Sequence, residues 1–327
     1  MAKSENQRFK ILYLLKIFEE ETDSRHRLSM SDLIERLSSY GVSAERKSIY
    51  SDITVLTEMG YDISYKKGGP DSGYCLDSRN FQPAELKLLV DSVQSSRFIT
   101  KKKSDELIRK LEKLCSTYEA KMLQRQVFVA DRVKTMNEDV FENVDRLHEA
   151  INKNRRITFR YWNWNMKKKQ ELRHDGALYL VSPWGLCWDS ENYYMIAFDS
   201  VSQKIKHYRV DKMQEISITD DKREGLDAYK GINMAEYSRK TFGMFGGEER
   251  PVTMECDPSL AGVMIDRFGK DSFIVPKGDL FTITVKVAVS GQFLGWVAGL
   301  GSGVRITAPA DVAAKMRELL QGVLENY

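Results

Sequence analysis

Apolar residues return every three or four positions in three successive stretches near the start of the chain. In RFKILYLLKIFEE they fall at Ile11, Leu14, Leu15 and Phe18, the spacing of one buried helix face. In RLSMSDLIERLSSYG they fall at Leu33, Ile34 and Leu37, with Ser29 placed as an N-cap and Gly41 as a stop. The third stretch, VSAERKSIYSDITVLTEMG, is read as a helix capped by Ser43, with Ile49, Ile53 and Leu56 on one face. At ~100° per residue, Lys47, Ser51 and Thr54 point the opposite way. Ser48 and Tyr50 flank them, and Arg46 lies in the first turn. After Gly60 the pattern changes period: YDISYKKGGPDSGYCLDS predicts strand, Gly/Pro turn and strand, with Lys66 and Lys67 at the tip. Three helices and a hairpin form a winged helix-turn-helix over residues 1–80.

A helical connector follows over 81–137. Pro83 stands at an N1 position, and Leu86, Leu89 and Val93 form a stripe. A second helix is expected to begin at Ser104, with Asp105 and Glu106 in its first turn and Leu107, Leu111 and Leu114 inward; Lys101–Lys103 then read as a solvated loop. NEDVFENVDRLHEAINKN leads onward with Val140, Val144, Leu147 and Ile151 as core candidates and His148 as a structural residue.

Residues 138–230 change to period two. RRITFRYWNW alternates, sending Ile157, Phe159 and Tyr161 one way and Arg156, Thr158, Arg160 and Trp162 the other. ALYLVSPWGLCWDSENYYMIAFDSVSQKIKHYRVDKMQEISI supplies further short strands, and Lys167–Gln170 reads as an exposed hairpin tip. Alternation places one of Tyr193 and Tyr194 inside and one outside, and leaves open which. It places His207, Arg209 and Asp211 on one face, with Asp211 an ion-pair partner for a neighbouring arginine. These strands form a small Sm-like β-barrel. The remainder, 231–327, begins with a Gly/Met-rich linker and then reads β, α, β, β, α, β, α, a ferredoxin-like layout. Its last helix turns Val312, Met316, Leu319 and Leu320 inward. The fold class is therefore α+β and multidomain.

Composition narrows the chemistry. The 327 residues, 42% hydrophobic and 30% charged, exceed one typical core. No apolar run is long enough to span a membrane, and the polar start lacks a secretory signal, so a cytoplasmic protein is expected. Cys75, Cys115, Cys187 and Cys256 are widely spaced and form no C-x-x-C, and His26, His148, His174 and His207 are scattered. No P-loop, H-E-x-x-H or G-x-S-x-G is present. No catalytic residue, metal site or cofactor is expected, and the chain is not read as an enzyme. Net charge is +3; residues 1–80 carry 12 Lys/Arg against 13 Asp/Glu, whereas residues 153–174 carry 8 against 1.

At this point the chain resembles a known family. Tyr193-Tyr194-Met195 occupies the place of the Trp-Tyr-Leu tripeptide that names the WYL domain. ITFRYW resembles that family's first strand, LYLVSPWGLCW its Pro-aromatic-small-Leu strand and KIKHYRVDKM its final basic strand. The N-terminal helices and the C-terminal segment resemble the flanking units of the same regulators. Tyr193 replaces Trp, Met195 replaces Leu and Lys212 replaces Arg, while Ser51 stands where an Arg is common. The resemblance implies a bacterial transcriptional regulator that senses a nucleic-acid or nucleotide-like effector.

The residues suit that chemistry. A recognition helix needs exposed donors away from its core, and Ser43, Arg46, Lys47, Ser48, Tyr50, Ser51 and Thr54, with Lys66 and Lys67 on the hairpin, are the candidate contacts to double-stranded operator DNA. Tyr50 is read either as such a contact or as packing on the hairpin. An anionic effector needs fixed cations and aromatic faces. Tyr161, Arg173, Tyr179, Ser182, Tyr194, His207, Arg209 and Lys212 are the candidates, and Arg267 and Arg305 are considered as reaching the same ligand. A homodimer matches a palindromic operator. A nucleic-acid-processing enzyme and a protein-interaction adaptor remain alternative uses of the same basic centre.

Overall fold

The computed structural model describes residues 5–69, 71–123, 134–189, 191–230 and 240–327. Two compact units divide between Met136 and Asn137.

In the first unit, helices α1 (Lys10–Glu21), α2 (Met30–Ser39) and α3 (Arg46–Glu58) close one core. Leu14, Ile17, Phe18, Leu33, Leu37, Ile49, Ile53 and Leu56 are all buried there. Ser29 opens α2 with a reciprocal capping box: its hydroxyl accepts the Asp32 N–H, and the Asp32 carboxylate accepts the Ser29 N–H at 2.8 Å. Gly41 ends the helix at φ +74°, a conformation that costs glycine little. Ser43 is not the cap of α3. The helical ladder starts two residues later, where the Glu45 carbonyl accepts the Ile49 N–H at 3.1 Å, with no side-chain cap bond. Strands β1 (Ile63–Lys66) and β2 (Gly73–Leu76) pair antiparallel, Lys66 opposite Gly73. Leu28 bridges the other edge of β2 at Tyr74.

The connector holds α4 (Pro83–Ser95), α5 (Lys101–Glu112) and α6 (Thr117–Leu123). Helix α5 begins three residues before the expected Ser104. The Thr100 hydroxyl accepts the Lys103 N–H, so Lys101–Lys103 form a helical turn and not a loop. Leu86 and Val90 are buried on α4 while Leu89 is exposed; Cys115 takes the inward place expected of Leu114.

The second unit opens with α7 (Val140–Asn152), whose buried face is Val140, Asn143, Leu147 and Ala150. His148 is exposed and has no structural role in the core. A six-stranded, fully antiparallel sheet follows: β3 (Arg155–Trp164), β4 (Gln170–Leu172), β5 (Tyr179–Asp189), β6 (Asn192–Asp199), β7 (Lys204–Arg209) and β8 (Met213–Lys222). It curls because β3 carries three antiparallel partners, β4, β5 and β8, along its two edges. Ile157, Phe159 and Tyr161 face its core, and Trp162, expected outward, is also buried, edge-on to Trp164 at 5.2 Å. Helix α8 (Leu226–Lys230) closes this part.

Beyond it lie β9 (Glu248–Cys256), α9 (Ala261–Phe268), β10 (Ile274–Lys277), β11 (Leu280–Val289), α10 (Gly291–Gly299), β12 (Val304–Ala308) and α11 (Ala310–Leu324). The sheet order is β10-β11-β9-β12, and the core includes Val252, Met254, Met264, Ile283, Phe293 and Val312. Met316 and Leu319 pack on that core, but Leu320 is exposed because the inward stripe drifts off it along α11. All four cysteines are free and buried. No helix among the described residues is long and apolar enough to cross a membrane.

Gly225 packs its backbone directly against the Phe198 ring of the central sheet. Its φ is +77°, and a Cβ there would overlap the Phe198 ring. Gly225→Ala combines a left-handed conformation with overpacking, and we expect a loss of about 2–4 kcal/mol in a denaturant titration.

Candidate functional site

On α3, Arg46, Lys47, Tyr50, Ser51 and Thr54 are exposed on the side away from the core, and Ser43 is exposed just before the helix. Tyr50 lies edge-on to Tyr74 of the hairpin, centroids 6.4 Å apart, yet remains half exposed, so both of its expected roles are compatible with the geometry. Ser48 departs from the set. It faces α1, where the Lys10 ammonium donates to its hydroxyl while also pairing with Asp52 at 2.7 Å. Lys66 and Lys67 are exposed at the hairpin end, Lys66 lying 4.0 Å from Asp71.

In the central sheet, register decides which side chains meet. Tyr194 stands opposite Arg209 and Cys187, and Ile196 stands opposite His207. Side chains two apart share a face, so Cys187, Tyr194, Ile196, His207 and Arg209 lie on one side. The opposite side belongs to the aromatic interior. Tyr208 sits edge-on to Phe159 at 5.1 Å and to Tyr161 at 5.7 Å, and Tyr179 stacks on Phe159 at 5.1 Å. Each such pair adds ~0.5–1.5 kcal/mol beyond area burial. Tyr179 thus packs with the interior beside Tyr161, on the other face from Tyr194, and keeps partial exposure.

A short 3-10 turn, Val210–Lys212, carries the chain from β7 to β8. Alternation ends there, so Asp211 folds back onto Arg209: the guanidinium grips the buried carboxylate with two bonds, Nε to Oδ1 at 3.0 Å and Nη2 to Oδ2 at 2.8 Å. Burial works against the Arg209 cation, but Asp211 more than offsets it and the pKa is raised. The Tyr161 phenol accepts the Arg209 N–H at 3.1 Å, and burial pushes it up to about 12. Lys212 donates to Asn163 Oδ1 at 3.1 Å. Its pKa is lowered by burial first, then by the Arg209 cation and more weakly by Arg173. Arg173 itself is exposed in the turn after β4. Lys212 thus lies within electrostatic reach of both Arg209 and Arg173, with Arg209 beside Tyr161 and Tyr194 and Arg173 beside Tyr179 and Tyr208.

Two expected ligand residues are engaged inside the chain. Ser182 is fully buried and accepts the Glu224 N–H at 2.9 Å, which makes it a support for the following loop. His207 is largely buried and bonds the Met244 backbone, and burial lowers its pKa to about 4. Neither Tyr193 nor Tyr194 is plain core: Tyr193 lies edge-on to Trp188 at 4.7 Å, and both keep partial exposure. Arg267 sits 4.1 Å over the Phe242 ring and Arg305 pairs with Glu255, so each has a partner within its own part of the chain.

Sequence reasoning missed two asparagines. The buried Asn143 amide donates to the carbonyls of Met213 at 3.0 Å and Val210 at 3.3 Å, and Asn137 donates to that of Asp211 at 2.9 Å. Asn143 occupies a position of the inward stripe of α7, and a polar residue there is the signal that could have revealed it. Among the described residues, no group of three or more His, Cys, Asp or Glu could hold a metal ion.

Asn143→Leu keeps the volume but removes a buried amide donor, leaving the Val210 carbonyl with the Met213 N–H and the Met213 carbonyl with the 3.4 Å bond from Asn137. We expect a loss of about 1–3 kcal/mol in chemical denaturation. A pH dependence follows from His207. The unfolded chain protonates this imidazole below about 6.5, and the folded chain only below about 4. Its contribution is therefore complete above about 6.5 and declines as pH falls toward 4. His207→Gln should flatten the thermal stability of this unit between pH 7 and pH 5.

Comparison with known proteins places these parts. Residues 142–218 match the WYL domain and residues 248–324 the WCX domain. No curated protein matches the chain. Among solved structures, the chain is similar to proteasome accessory factor B/C (PafBC) of Arthrobacter aurescens, at 16% identity and a TM-score of 0.29, covering 99% of this chain and 49% of that one. The chain thus spans about half the length of that protein. It is also similar to a CRISPR Cas-related protein, at 15% identity and a TM-score of 0.37, covering 75% of this chain and 71% of that one. At these scores neither likeness defines the fold. The Tyr194–Arg209 face and the Val210–Lys212 turn lie inside the first matched segment, and the chain carries a WYL domain followed by a WCX domain.

Proposed function

We propose that the chain is a ligand-responsive, DNA-binding transcriptional regulator. In this reading the three helices and hairpin are a winged helix-turn-helix, the curled central sheet is a small Sm-like barrel and the C-terminal sheet is a ferredoxin-like extension. The observation that carries the proposal is the pairing of Tyr194 with Arg209, backed by Tyr161 and flanked by Lys212 and Arg173. An aromatic face beside a fixed guanidinium fork suits a base or sugar attached to a phosphate. Asp211 holds the fork in place, leaving part of Arg209 for an incoming anion. Lys212 and Arg173 add charge without adding rigidity.

The α3 face and the hairpin lysines engage double-stranded operator DNA, with Arg46, Lys47, Lys66 and Lys67 on phosphates. The chain acts as a homodimer, and effector binding shifts the population between two dimer geometries of different operator affinity. It is not an enzyme: effector is bound and released unchanged.

Gel shifts with double-stranded fragments flanking its own gene test the DNA half. A combined Lys66→Ala, Lys67→Ala variant should bind more weakly on every fragment, and its salt slope should fall by about 2. No binding at low salt would overturn this half. The effector half is tested by co-purification. Nucleic acid or nucleotide should accompany the wild-type protein and be reduced in Arg209→Lys, which keeps the charge beside Asp211 but removes the planar fork. Full retention of ligand in folded Arg209→Ala would overturn the site, and turnover of a labelled oligonucleotide with Mg²⁺ would overturn the non-enzymatic reading.

A further inference from the structure

The face that carries Tyr194 and Arg209 already has an occupant from its own chain. Met244 is buried against Cys187 and Ile196, with Tyr194, Ile205 and Tyr229 packed around the same cluster. It reaches there from a tight turn, Phe242–Phe245, closed by the Phe245 N–H donating to the Phe242 carbonyl at 3.2 Å. Both central residues are left-handed, Gly243 at φ +59° and Met244 at φ +57°. Such backbone suits glycine, and an unbranched thioether residue stays in it only where the surroundings hold it.

The surroundings do hold it, from both domains. On the WYL side, His207 bonds the Met244 backbone and sits directly beside Arg209 along the same strand face. On the WCX side, Phe242 enters the other core, 5.3 Å from both Phe293 and Trp296. Arg267 of α9 covers the Phe242 ring at 4.1 Å and donates to the Thr241 carbonyl at 2.8 Å, and it lies within electrostatic reach of Asp189 at the end of β5. One turn thus places consecutive anchors in two domain cores, and one anchor touches the cluster to which Tyr194 belongs.

We propose that the Phe242–Phe245 turn is an intramolecular plug that couples effector occupancy to the position of the WCX domain. A nucleotide-like ligand that stacks on Tyr194 and pairs with Arg209 needs the space beside Met244. Its binding displaces Met244, the left-handed turn loses the contacts that hold it, and Phe242 and Arg267 carry the change into α9. The inference rests on the reading of the Tyr194–Arg209 face as the effector face.

The test uses the full chain in three forms: wild type, Met244→Ala and Met244→Leu. Hydrogen exchange is read over residues 240–246 and 261–268 without ligand and with a labelled single-stranded oligonucleotide about ten nucleotides long; affinity is read by anisotropy. Met244→Ala should exchange faster in the turn and bind the probe roughly tenfold tighter, because the competing occupant is gone. Met244→Leu, which refills the slot, should match wild type. Saturating probe should speed exchange of the wild-type turn. Unchanged exchange in Met244→Ala overturns the plug. Probe affinity that is unchanged in Met244→Ala but lost in Arg209→Ala overturns the competition and leaves the effector reading intact. If the probe binds no form while the turn loosens in Met244→Ala, the effector reading fails, and the turn stands as a clamp between the two domains.

Discussion

Three backbone carbonyls in one short turn govern the geometry of the central domain. The carbonyls of Val210 and Met213 accept from Asn143 of α7 and that of Asp211 from Asn137 just before it, and the Val210 carbonyl also accepts the Met213 N–H. A buried carbonyl without a donor costs about 1–3 kcal/mol, and the amides of Asn137 and Asn143 stabilise the turn by supplying side-chain donors to all three. With the turn fixed, β7 and β8 leave it in set directions, Asp211 falls within bidentate reach of Arg209, and Lys212 reaches Asn163. The aromatic interior and the cationic face are thus positioned by the same few hydrogen bonds.

The ion pair at this turn has a second consequence. Arg209 and Asp211 are held against each other at partial burial, where removing one partner leaves the other charge without compensation. The pair is therefore better understood as a device that orients the guanidinium than as a source of stability. A long arginine free to rotate would lose side-chain entropy on meeting an anion. Here that ordering has already been imposed by Asp211 and by the Tyr161 phenol on the same residue's backbone.

What was legible in the sequence was whatever a local period encodes. The inward stripes of α1, α2 and α3 follow from 3.6-residue spacing, and the order β, α, β, β, α, β, α follows from alternation punctuated by glycine. The pairing of Tyr194 with Arg209 was approachable because both lie on regular strands. Local pattern fails where a distant group decides. Ser182 looked like a hydroxyl offered to a ligand, but a backbone N–H 42 residues away claims it. Ser48 looked like a helix-face donor, but Lys10 of another helix reaches it. Asn143 broke an apolar stripe, and only the turn at Val210–Met213 explains why. Met244 sat in what looked like a Gly/Met-rich linker, whereas its left-handed backbone and burial come from contacts that no period records.

Charge illustrates the same division between sum and placement. The three N-terminal helices and hairpin are nearly neutral, with 12 basic and 13 acidic residues among residues 1–80, which by itself argues against a polyanionic partner. Yet Asp52 is taken by Lys10, Asp77 by Arg27 and Glu21 by Arg36. These pairs tie elements together away from the outer face of α3. Among the described residues, Arg46, Lys47 and Lys67 have no ion-pair partner and are exposed. Counterion release depends on cations that reach phosphates, not on the net charge of the unit that carries them. A neutral total with a locally cationic helix face also weakens binding to polyanions in any other orientation.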